Sequence, residues 1–493
     1  MENHAADADV SARERLVRDV LELIDAGPDG DPSAFDALAI RVFAEQYATN
    51  GPYRAFCDAA GVTPDTLGSW EGVPAYPTDA FKNEIVASFP VEQAVLANIT
   101  SGTTSPNQRG RIFRDEAGKK LIFTANRAMT GAYLFPDFSA GQRCRILLMT
   151  PGPDLAPSMG MAIGMDQTRR AFGTEDSIFL VGRTGVDVRA LVGALEQAER
   201  TGVPVALVGS TSAFVYFLNA CRRKNRRFAL PPGSRVCDGG GYRGRFGVVT
   251  RDDFYLLVGE VLGVPASHCI NTLGMAESAT NYFDSTLRDA VCGREGSRRK
   301  IAPPWTRVRA VDPTTGEVLA PGSPGLLQHY DLANLPTVLG VQSDNLGITD
   351  GEGGFEIIGR AKVVEGRIQE LPSERAVGPM GDRRVFRLLE AYVNFSIDFK
   401  MGRVTSGDVT SDPIELRKDA ESAAGASTAE TETIVAACPI VVEEMVAAAD
   451  DPAARERADA AIAAIQAEAA SHGLLDSGVT CDDGDSQADR ERT

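Results

Sequence analysis

A loop rich in hydroxyl side chains, residues 99–111, carries the clearest candidate chemistry in the sequence. It reads Ile-Thr-Ser-Gly-Thr-Thr-Ser-Pro-Asn-Gln-Arg-Gly-Arg and directly follows a predicted strand. Hydroxyls, arginines and backbone N–H groups all donate hydrogen bonds to polyphosphate oxygens, and Gly102 lets the backbone approach them closely. The Walker pattern G-x-x-x-x-G-K-[ST] is absent from it. We interpret the segment as a phosphate-binding loop; the alternative is a polar surface hairpin.

A second candidate is a glycine-rich turn after another predicted strand. Gly239, Gly241 and Gly244 formally match the G-x-G-x-x-G fingerprint of dinucleotide-binding folds. In that fingerprint a helix opens at the third glycine, whereas here residues 245–249 intervene and the predicted helix begins at Thr250. The triplet is therefore better explained as a glycine shelf, by which we mean a surface of these glycines that packs against a flat ring, than as a binding site for a nicotinamide cofactor.

Polar residues also follow two further predicted strands. Glu277, in the segment Ile270–Ser278, could hold a cation that bridges phosphates, and the backbone of residues 271–275 could border a base. The alternative for Glu277 is a glutamate at a helix start. Asp344 could accept hydrogen bonds from both ribose hydroxyls, and Arg360 could reach ribose or phosphate as a fixed cation. Their alternatives are a turn aspartate and a strand-end arginine.

Alternating strands and helices must bring these loops together. Helices are predicted at 116–133, 186–200 and 213–223, and strands at 94–99, 146–149, 177–181, 203–208 and 234–237. This alternation is typical of α/β layers with a largely parallel sheet, whose ligands bind beyond the carboxyl ends of the strands. After Pro303 the pattern becomes β-rich, with strands predicted at 306–311, 325–330, 337–341 and 354–358.

The predicted fold is α/β, with a large layered N-terminal domain of mostly parallel sheets flanked by helices. Residues 1–72 form an N-terminal helical segment, with a one-face apolar pattern after Phe35 and with Asp31 and Ser33 as candidate N-caps. Residues 73–302 form the α/β core, and 303–375 a smaller β-rich subdomain that completes the nucleotide site. Residues 376–493 are a helical and disordered C-terminal extension with a linker, an Ala/Glu-rich helix and an acidic tail.

Composition excludes several classes of function. The 68 acidic and 50 basic residues give a net charge of −18, which disfavours nucleic-acid partners. No apolar run approaches the ~20 residues of a membrane span, and no signal peptide is recognisable, so we expect a cytoplasmic protein. The eight cysteines occur singly and only four histidines exist. Zinc sites, disulfide frameworks and Ser–His–Asp hydrolysis are therefore disfavoured.

In their order and spacing, these segments resemble the adenylate-forming enzymes. The closer resemblance is to the acyl-protein synthetase (luciferin-component ligase) branch, near the phenylacetate–CoA ligases, and it spans residues 73–369. The stretches that carry it are Tyr76-Pro-Thr-Asp-Ala-Phe-Lys82, Thr100-Ser-Gly-Thr-Thr104, Leu230-Pro-Pro-Gly-Ser234, Asp238-Gly-Gly-Gly241, Leu273-Gly-Met-Ala-Glu277, Pro303-Pro-Trp305, Asp331-Leu-Ala-Asn-Leu335 and Gly359-Arg-Ala-Lys362.

The resemblance implies that a fatty or other small carboxylic acid attacks the α-phosphate of ATP, giving acyl-AMP and pyrophosphate. It implies ATP and Mg²⁺ as cofactors. The acyl acceptor would be a thiol such as CoA or a carrier protein, an amine, or a partner acyl reductase. Because two anions must meet, donors and a cation have to neutralise charge on the α-phosphate.

The resemblance also implies roles for individual residues. Asp344 would hold the ribose, Arg360 would stabilise the adenylate, and Glu277 would be the metal ligand. The implied catalytic residues are Thr104, Glu277, Arg360 and Lys82, the last without an assigned role. The implied ATP-binding residues are Thr100, Ser101, Gly102, Thr103, Gly239, Gly240, Gly241, Gly274, Met275, Asp344 and Lys362. The implied acyl pocket is lined by Phe214, Gly240 and Met275.

One departure from the family pattern concerns acyl transfer. The synthetase branch follows G-R-x-x-x-x-x-x-R-G with a cysteine that we interpret as its acyl-accepting thiol, whereas here Arg367 is followed by Ile368 and Gln369. A glutamine amide cannot form a thioester, so self-acylation at this position is in doubt. Beyond Gln369 the resemblance fades and does not reach the superfamily's C-terminal domain with its catalytic lysine.

Two alternatives to an active enzyme of this kind remain open. One is a non-catalytic nucleotide-binding scaffold subunit of a biosynthetic or reductase complex. It would show no carboxylate-dependent pyrophosphate–ATP exchange. The other is an unrelated α/β dehydrogenase or kinase, which would bind NAD(P)H or release ADP instead of AMP.

Overall fold

The computed structural model describes residues 11–100, 110–182, 185–240, 250–296, 298–364 and 367–370, with the backbone alone at 185 and 361–370. Its first helices are α1 (Ala12–Asp25), α2 (Phe35–Thr49) and α3 (Gly51–Ala59). Ser11 and Glu14 form a capping box at the start of α1. Asp31 caps the 3-10 turn Pro32–Ala34 that leads into α2, and Ser33 donates to it. The predicted N-terminal helices are confirmed.

A short strand and a hairpin lie between these helices and the main sheet. They are β1 (Tyr76–Pro77), followed by the 3-10 segment Thr78–Lys82, and then β2 (Leu96–Ile99) paired antiparallel with β3 (Arg111–Arg114). The predicted phosphate-binding loop connects β2 to β3. Helix α4 (Glu116–Leu134) begins directly after the hairpin, with Asp115 as its N-cap.

The main sheet has six strands in the order β11-β10-β9-β8-β4-β5. All neighbouring pairs are parallel except β10 with β11. Ile146, Leu147 and Leu148 of β4 are fully buried, as expected for a strand in a parallel sheet covered on both faces. The strands are β4 (Arg145–Met149), β5 (Ile178–Phe179), β8 (Val205–Ser210), β9 (Arg235–Gly239), β10 (Cys269–Leu273) and β11 (Tyr282–Phe283), with a separate hairpin of β6 (Val181–Gly182) and β7 (Gly185–Val186). The mostly parallel α/β prediction is confirmed.

Five helices alternate with these strands: α5 (Gly160–Phe172), α6 (Val188–Thr201), α7 (Thr211–Arg223), α8 (Arg251–Leu262) and α9 (Thr286–Val291). Helix α6 buries Leu191, Leu195 and Ala198 on one face, at the spacing of an amphipathic helix. Thr250 is the N-cap of α8, as the sequence predicts. Helix α8 therefore begins at Arg251, and Gly244 itself lies outside the described residues. Within the described part of the chain, no helix is long and apolar enough to cross a bilayer; the cytoplasmic location stays a prediction.

The second sheet is antiparallel, in the order β12-β16-β15-β14-β13, with β17 paired to β16. Strand β1 joins it from the N-terminal side and pairs parallel with β15. Its strands are β12 (Lys300–Ile301), β13 (Thr306–Val311), β14 (Gly325–Asp331), β15 (Gly340–Thr349), β16 (Gly354–Val364) and β17 (Arg367–Glu370). The β-rich prediction is confirmed. Strand β15 begins three residues later than predicted and is longer, because hydrogen bonds to β14 and β16 extend it to Thr349.

One hydrophobic core joins the N-terminal helices to both sheets. It includes Leu16 of α1, Leu121 of α4, Trp305 and Val341 of β15. Gln46 of α2 extends the connection: its amide donates to the carbonyls of Asn334 and Leu335 and accepts from the N–H of Leu339. The predicted domain boundaries are not tested by these contacts and stay a prediction. The predicted linker, helix and acidic tail of 376–493 lie outside the described residues.

Candidate active site

The carboxyl ends of β8, β9 and β10 place the predicted glycines side by side. In the strand register Gly239 pairs with Ser210 on one side and with Thr272 on the other. Gly240 follows with φ +119°, a conformation that favours glycine, and lies at the exposed end of its strand. Gly274 and Met275 follow β10 at the same edge, as expected for parallel strands.

The turn that follows β10 lies beside β15 of the second sheet, the strand that carries Asp344. The amide of Asn345 lies 3.8 Å from the sulfur of Met275, so the strand that carries Asp344 contacts this turn directly. Asn345 also pairs with Arg360 in the β15–β16 register. Two of the predicted site residues, Asp344 and Arg360, therefore lie on adjacent strands next to Met275.

Glu277 lies within the electrostatic reach of these residues. Burial raises the pKa of its carboxyl to about 7. The residue's own backbone N–H lowers this pKa and the charge of Asp344 raises it, while Arg114 and Lys82 lower it. The structure thus brings a carboxylate predicted to bind metal next to the carboxylate predicted to bind ribose.

Arg360 belongs to the same group of charges. Burial lowers the pKa of its guanidinium, and Asp344 and Glu277 oppose that shift. Lys82 stands at the end of the 3-10 segment Thr78–Lys82, which reaches the site because β1 pairs with β15, and its ammonium lies 2.5 Å from Asp79. Four predicted site residues, Lys82, Glu277, Asp344 and Arg360, therefore share one site.

The base of the hydroxyl loop is closed beside Lys82. The N–H of Thr100 donates to the carbonyl of Gly110 at 3.0 Å, and the N–H of Gly110 donates to the hydroxyl of Thr100 at 2.9 Å. A Cβ at Gly110 would lie 3.1 Å from the carbonyl oxygen of Phe81, the residue before Lys82. The loop itself, with the predicted phosphate ligands Ser101, Gly102, Thr103 and Thr104, lies outside the described residues, as does Gly241. Only the backbone of Lys362 is described.

Side chains from three different elements fix the turn that carries Glu277. From α4, Asn126 donates to the carbonyl of Ala279 and accepts from the N–H of Asn281. Asn334 donates to the carbonyl of Glu277 itself at 2.9 Å. Fully buried Arg114, on β3, donates to the carbonyls of Ala276 and Ser278. These residues hold Glu277 in a fixed position.

Asp331 secures the residues just beyond Glu277. Its carboxylate accepts hydrogen bonds from the N–H groups of Ala279 and Thr280, and from the hydroxyls of Ser278 and Thr280. Trp305 adds an indole N–H bond to the Thr280 hydroxyl at 3.0 Å. Asp331 and Trp305 lie within the stretches that carry the family resemblance, so the sequence indicates them. Arg114 lies outside those stretches, and its only indication in the sequence is a charged residue at the end of the short strand Arg-Ile-Phe-Arg.

A buried polar network supports the glycine shelf from below. Asp238 accepts hydrogen bonds from the hydroxyl of Thr211 at 2.7 Å and from the amide of Asn271 at 3.0 Å. Lys300 donates to Asn271 and to Asp284. The shelf at Gly239 and Gly240 therefore rests on a hydrogen-bonded layer, because buried polar groups require partners.

Phe214 occupies a different environment from the other predicted residues. Its side chain is fully buried in the cluster that covers the α7 and α8 face of the main sheet. Its ring lies 6.2 Å from that of Phe254. In this structure Phe214 packs in the core, and its assignment to the acyl pocket stays a prediction. The described residues include no cluster of three or more His, Cys, Asp or Glu side chains that could hold a metal ion.

The parallel sheet, the glycine shelf and the grouped charges define the class of protein: an adenylate-forming ligase. The model of the family "Acyl-protein synthetase, LuxE" matches residues 24–371, and the chain belongs to this family. The predicted family is thereby confirmed, and with it the prediction that the chain is an acyl-activating ligase.

The chain is also similar to individual proteins. The long-chain-fatty-acid–luciferin-component ligase of Vibrio harveyi is 25% identical over 331 residues, which cover 64% of this chain and 81% of the relative. The ligase of the same name from Aliivibrio fischeri is 25% identical over 320 residues, covering 64% and 78%. A crystal structure of 2-hydroxyisobutyryl-CoA ligase with 2-HIB-AMP and CoA aligns over 68% of this chain and 73% of that chain, at 13% identity and a TM-score of 0.49.

Proposed function

We propose that the chain uses ATP to activate a fatty acid as acyl-AMP, and then hands the acyl group to an external nucleophile. The single observation that carries this proposal is the convergence of Lys82, Glu277, Asp344 and Arg360 at one site. The choice of a fatty acid rests on the names of the two relatives, which are ligases of long-chain fatty acids.

The first half-reaction joins two anions. A carboxylate oxygen of the acid attacks the α-phosphorus of ATP, the bond from that phosphorus to the β-phosphate oxygen breaks, and pyrophosphate leaves with the electron pair. Arg360 and Lys82 are partly exposed cations at this site, so they can neutralise charge that builds on the α-phosphate. Asp344 is proposed to hold the ribose, and the glycine shelf to border adenine.

The acidic pair fits a magnesium ion that arrives with the nucleotide. Mg²⁺ is usually bound through one or two carboxylates together with phosphate oxygens and waters. Glu277 would supply the carboxylate, and a bound cation would reduce its repulsion with Asp344. Bound there, the ion would neutralise phosphate charge.

The second half-reaction requires an acyl acceptor, which we propose is external to this chain. A nucleophile attacks the carbonyl carbon of acyl-AMP, the bond from that carbon to the phosphate oxygen breaks, and AMP leaves. Gln369 stands on β17 opposite Lys362 at the position where the family pattern has its cysteine. A glutamine cannot accept the acyl group, so we propose direct transfer to CoA, to the thiol of a carrier protein, to an amine or to a partner reductase.

The described cysteines are poor substitutes for that thiol. Burial raises the pKa of Cys57, Cys144 and Cys221 to about 11. It also raises the pKa of Cys237 and Cys269 above that of a free thiol. Since the thiolate is the nucleophile, these five side chains are poorly reactive near pH 7. Cys292 is exposed but follows α9, on a different segment from Gln369.

Carboxylate-dependent exchange of labelled pyrophosphate into ATP tests the first half-reaction. We expect exchange with a fatty acid and none without an acid, because exchange requires reversible formation of acyl-AMP. Trapping acyl-AMP with hydroxylamine across acids of increasing chain length then identifies the substrate. Absence of exchange with every acid would contradict the proposal and favour the scaffold alternative.

A further inference from the structure

We propose that Lys300 is a positioning residue for ATP binding. Its ammonium fixes the side-chain amide of Asn271 and, through that amide, the described part of the glycine shelf, Gly239 and Gly240. The inference rests on the proposed function, in which this shelf borders adenine. Lys300 itself is buried, and contact with the nucleotide is not part of the proposal.

The ammonium of Lys300 has a complete set of acceptors. It donates to the backbone carbonyl of Asn271 at 3.0 Å, to the side-chain oxygen of Asn271 at 2.8 Å and to the carboxylate of Asp284 at 3.1 Å. An ammonium group carries three N–H donors and no acceptor. All three donors therefore have an acceptor, and two of the three bonds hold Asn271.

These bonds determine which way the amide of Asn271 faces. Because Lys300 can only donate, the amide oxygen must face the ammonium and the amide nitrogen must face the other way. The nitrogen lies 3.0 Å from a carboxylate oxygen of Asp238 and 3.4 Å from the carbonyl oxygen of Gly240. A flipped amide would place its oxygen against these two acceptors and lose both bonds.

The amide of Asn271 bonds to the backbone on both sides of Gly239. Besides the carbonyl of Gly240 it contacts the carbonyl of Asp238, at 3.3 Å. Gly240 has a φ of +119° and no Cβ, so its backbone has more accessible conformations than that of other residues, and neighbouring contacts have to select one. We infer that Asn271 selects the conformation of the shelf and that Lys300 holds Asn271 in place to do so.

Lys300 also connects the two ends of the nucleotide site. It lies on β12 of the second sheet, opposite Phe355 of β16, whereas Asn271 lies on β10 of the main sheet. Arg360, proposed to act on the phosphates, lies further along β16. The side chain of Lys300 therefore joins the shelf proposed to border adenine to the strand that carries Arg360.

Arg298 provides a matched control, because it donates to the same carboxylate, that of Asp284, at 3.1 Å. Its other bonds reach the carbonyls of Cys269, at the start of β10, and of Ala266, before that strand. Arg298→Met removes a cation from Asp284 but leaves the side-chain contacts of Asn271 in place. It should lower thermal stability without a change in the Kd for ATP. A purely structural contribution of the ammonium would give the same result when the ammonium is removed.

Calorimetric titration of the full chain with ATP and with tripolyphosphate tests the role of Lys300. Lys300→Met should raise the Kd for ATP about tenfold, because the shelf is no longer held. The Kd for tripolyphosphate, which has phosphates but no base, should stay unchanged. Lys300→Arg should resemble Lys300→Met, since a planar guanidinium cannot direct three N–H groups at these convergent acceptors. An unchanged Kd for ATP in folded Lys300→Met, or an equal loss for both ligands, would overturn the proposal.

A double-mutant cycle tests whether Lys300 acts through Asn271. Lys300→Met should weaken ATP binding about tenfold in the wild-type background but less than about twofold in Asn271→Ala. Additive losses would contradict this route. If Lys300→Met does not fold, its combination with Asp284→Asn removes a cation and an anion together, so that no buried carboxylate loses its partner, and the same loss of ATP affinity is expected.

The same titrations separate this proposal from the proposed function. A wild-type chain that binds ATP but catalyses no exchange would contradict the proposed function alone, provided that Lys300→Met still weakens binding. A wild-type chain that binds no ATP would overturn both.

Discussion

Asp344 raises the pKa of Glu277, although Asp344 lies on β15 of the second sheet and Glu277 lies in the turn after β10 of the main sheet. Like charges held this close destabilise one another unless cations surround them. Lys82, Arg114 and Arg360 provide those cations. An acidic pair enclosed by basic residues suits a ligand that carries both phosphates and a bound metal ion.

Asp344→Ala should weaken ATP binding about tenfold to a hundredfold, because a charged acceptor of hydrogen bonds from ribose is lost. Isothermal titration calorimetry with ATP measures this directly. Asp312→Ala, at an exposed turn after β13 of the same sheet, is the control and should bind ATP normally. If Asp344→Ala binds ATP as tightly as the wild type does, the ribose assignment is wrong.

Glu277→Gln should reduce exchange by about a hundredfold or more while leaving the melting temperature nearly unchanged. The amide keeps the size of the side chain and removes the charge that would hold the metal ion. Glu317→Gln, an exposed glutamate in the turn after β13, serves as the matched control. A large loss of thermal stability in Glu277→Gln would show instead that the residue is structural.

The pKa of Glu277 also predicts how stability depends on pH. Its folded pKa, about 7, lies above the ordinary value of 4.5, so the folded state binds the proton more tightly than the unfolded state does. Stability relative to Glu277→Gln should therefore fall, by on the order of 2 kcal/mol, as pH rises from about 4.5 to about 7. Denaturant unfolding of both proteins across that range measures the difference. A difference that grows with pH would contradict the raised pKa.

The local elements were largely predictable from periodicity and capping. Helix α4 was predicted at 116–133 and spans Glu116–Leu134, because Asp115 is an N-cap and the buried residues recur on one face. The segment predicted as one strand, 177–181, forms parts of two strands, β5 and β6, which are separated by Leu180. The N–H of Leu180 donates to the carbonyl of Leu148 on β4, and its carbonyl accepts from the N–H of Asp187. A local pattern does not indicate where a chain leaves one sheet for another.

The sequence predicts several residues of the site, but it indicates less well the residues that position them. Glu277 was identified because polar residues after parallel strands collect at one edge. Asp344 was predicted at the end of a strand, but it lies within β15, and Arg360 lies within β16, which is antiparallel to β15. The pairing of β1 with β15, which brings Lys82 to that edge, joins segments far apart in sequence. Arg114 was missed for the same reason, since its acceptors lie on a turn that no local pattern connects with β3. Phe214 is a different case, because the sequence assigned it to the acyl pocket and the structure buries it in the core. An apolar residue after a strand can line a pocket or pack in a core, and the sequence does not distinguish the two.

Mass spectrometry after incubation with ATP and a fatty acid should show no acyl group on any cysteine, because the family position holds Gln369 and the described buried thiols are poorly ionised. Gln369→Cys is the matched gain-of-function variant and should acquire one acyl thioester. A stable thioester in the wild-type chain would contradict direct transfer to an external acceptor.

Gly110→Ala should raise the KM for ATP about tenfold, because the new methyl group would displace the base of the hydroxyl loop. A Cβ there would lie 3.0 Å from the methyl of Thr100 and 3.1 Å from the backbone of Phe81, and the backbone contact cannot be relieved by a side-chain rotation. Gly68→Ala is the control, since a Cβ at Gly68 meets nothing within 4 Å. Steady-state exchange at varied ATP concentration measures both variants. An unchanged KM in Gly110→Ala would show that the closure between Thr100 and Gly110 does not position the phosphate-binding segment, and would remove the loop from the proposed site.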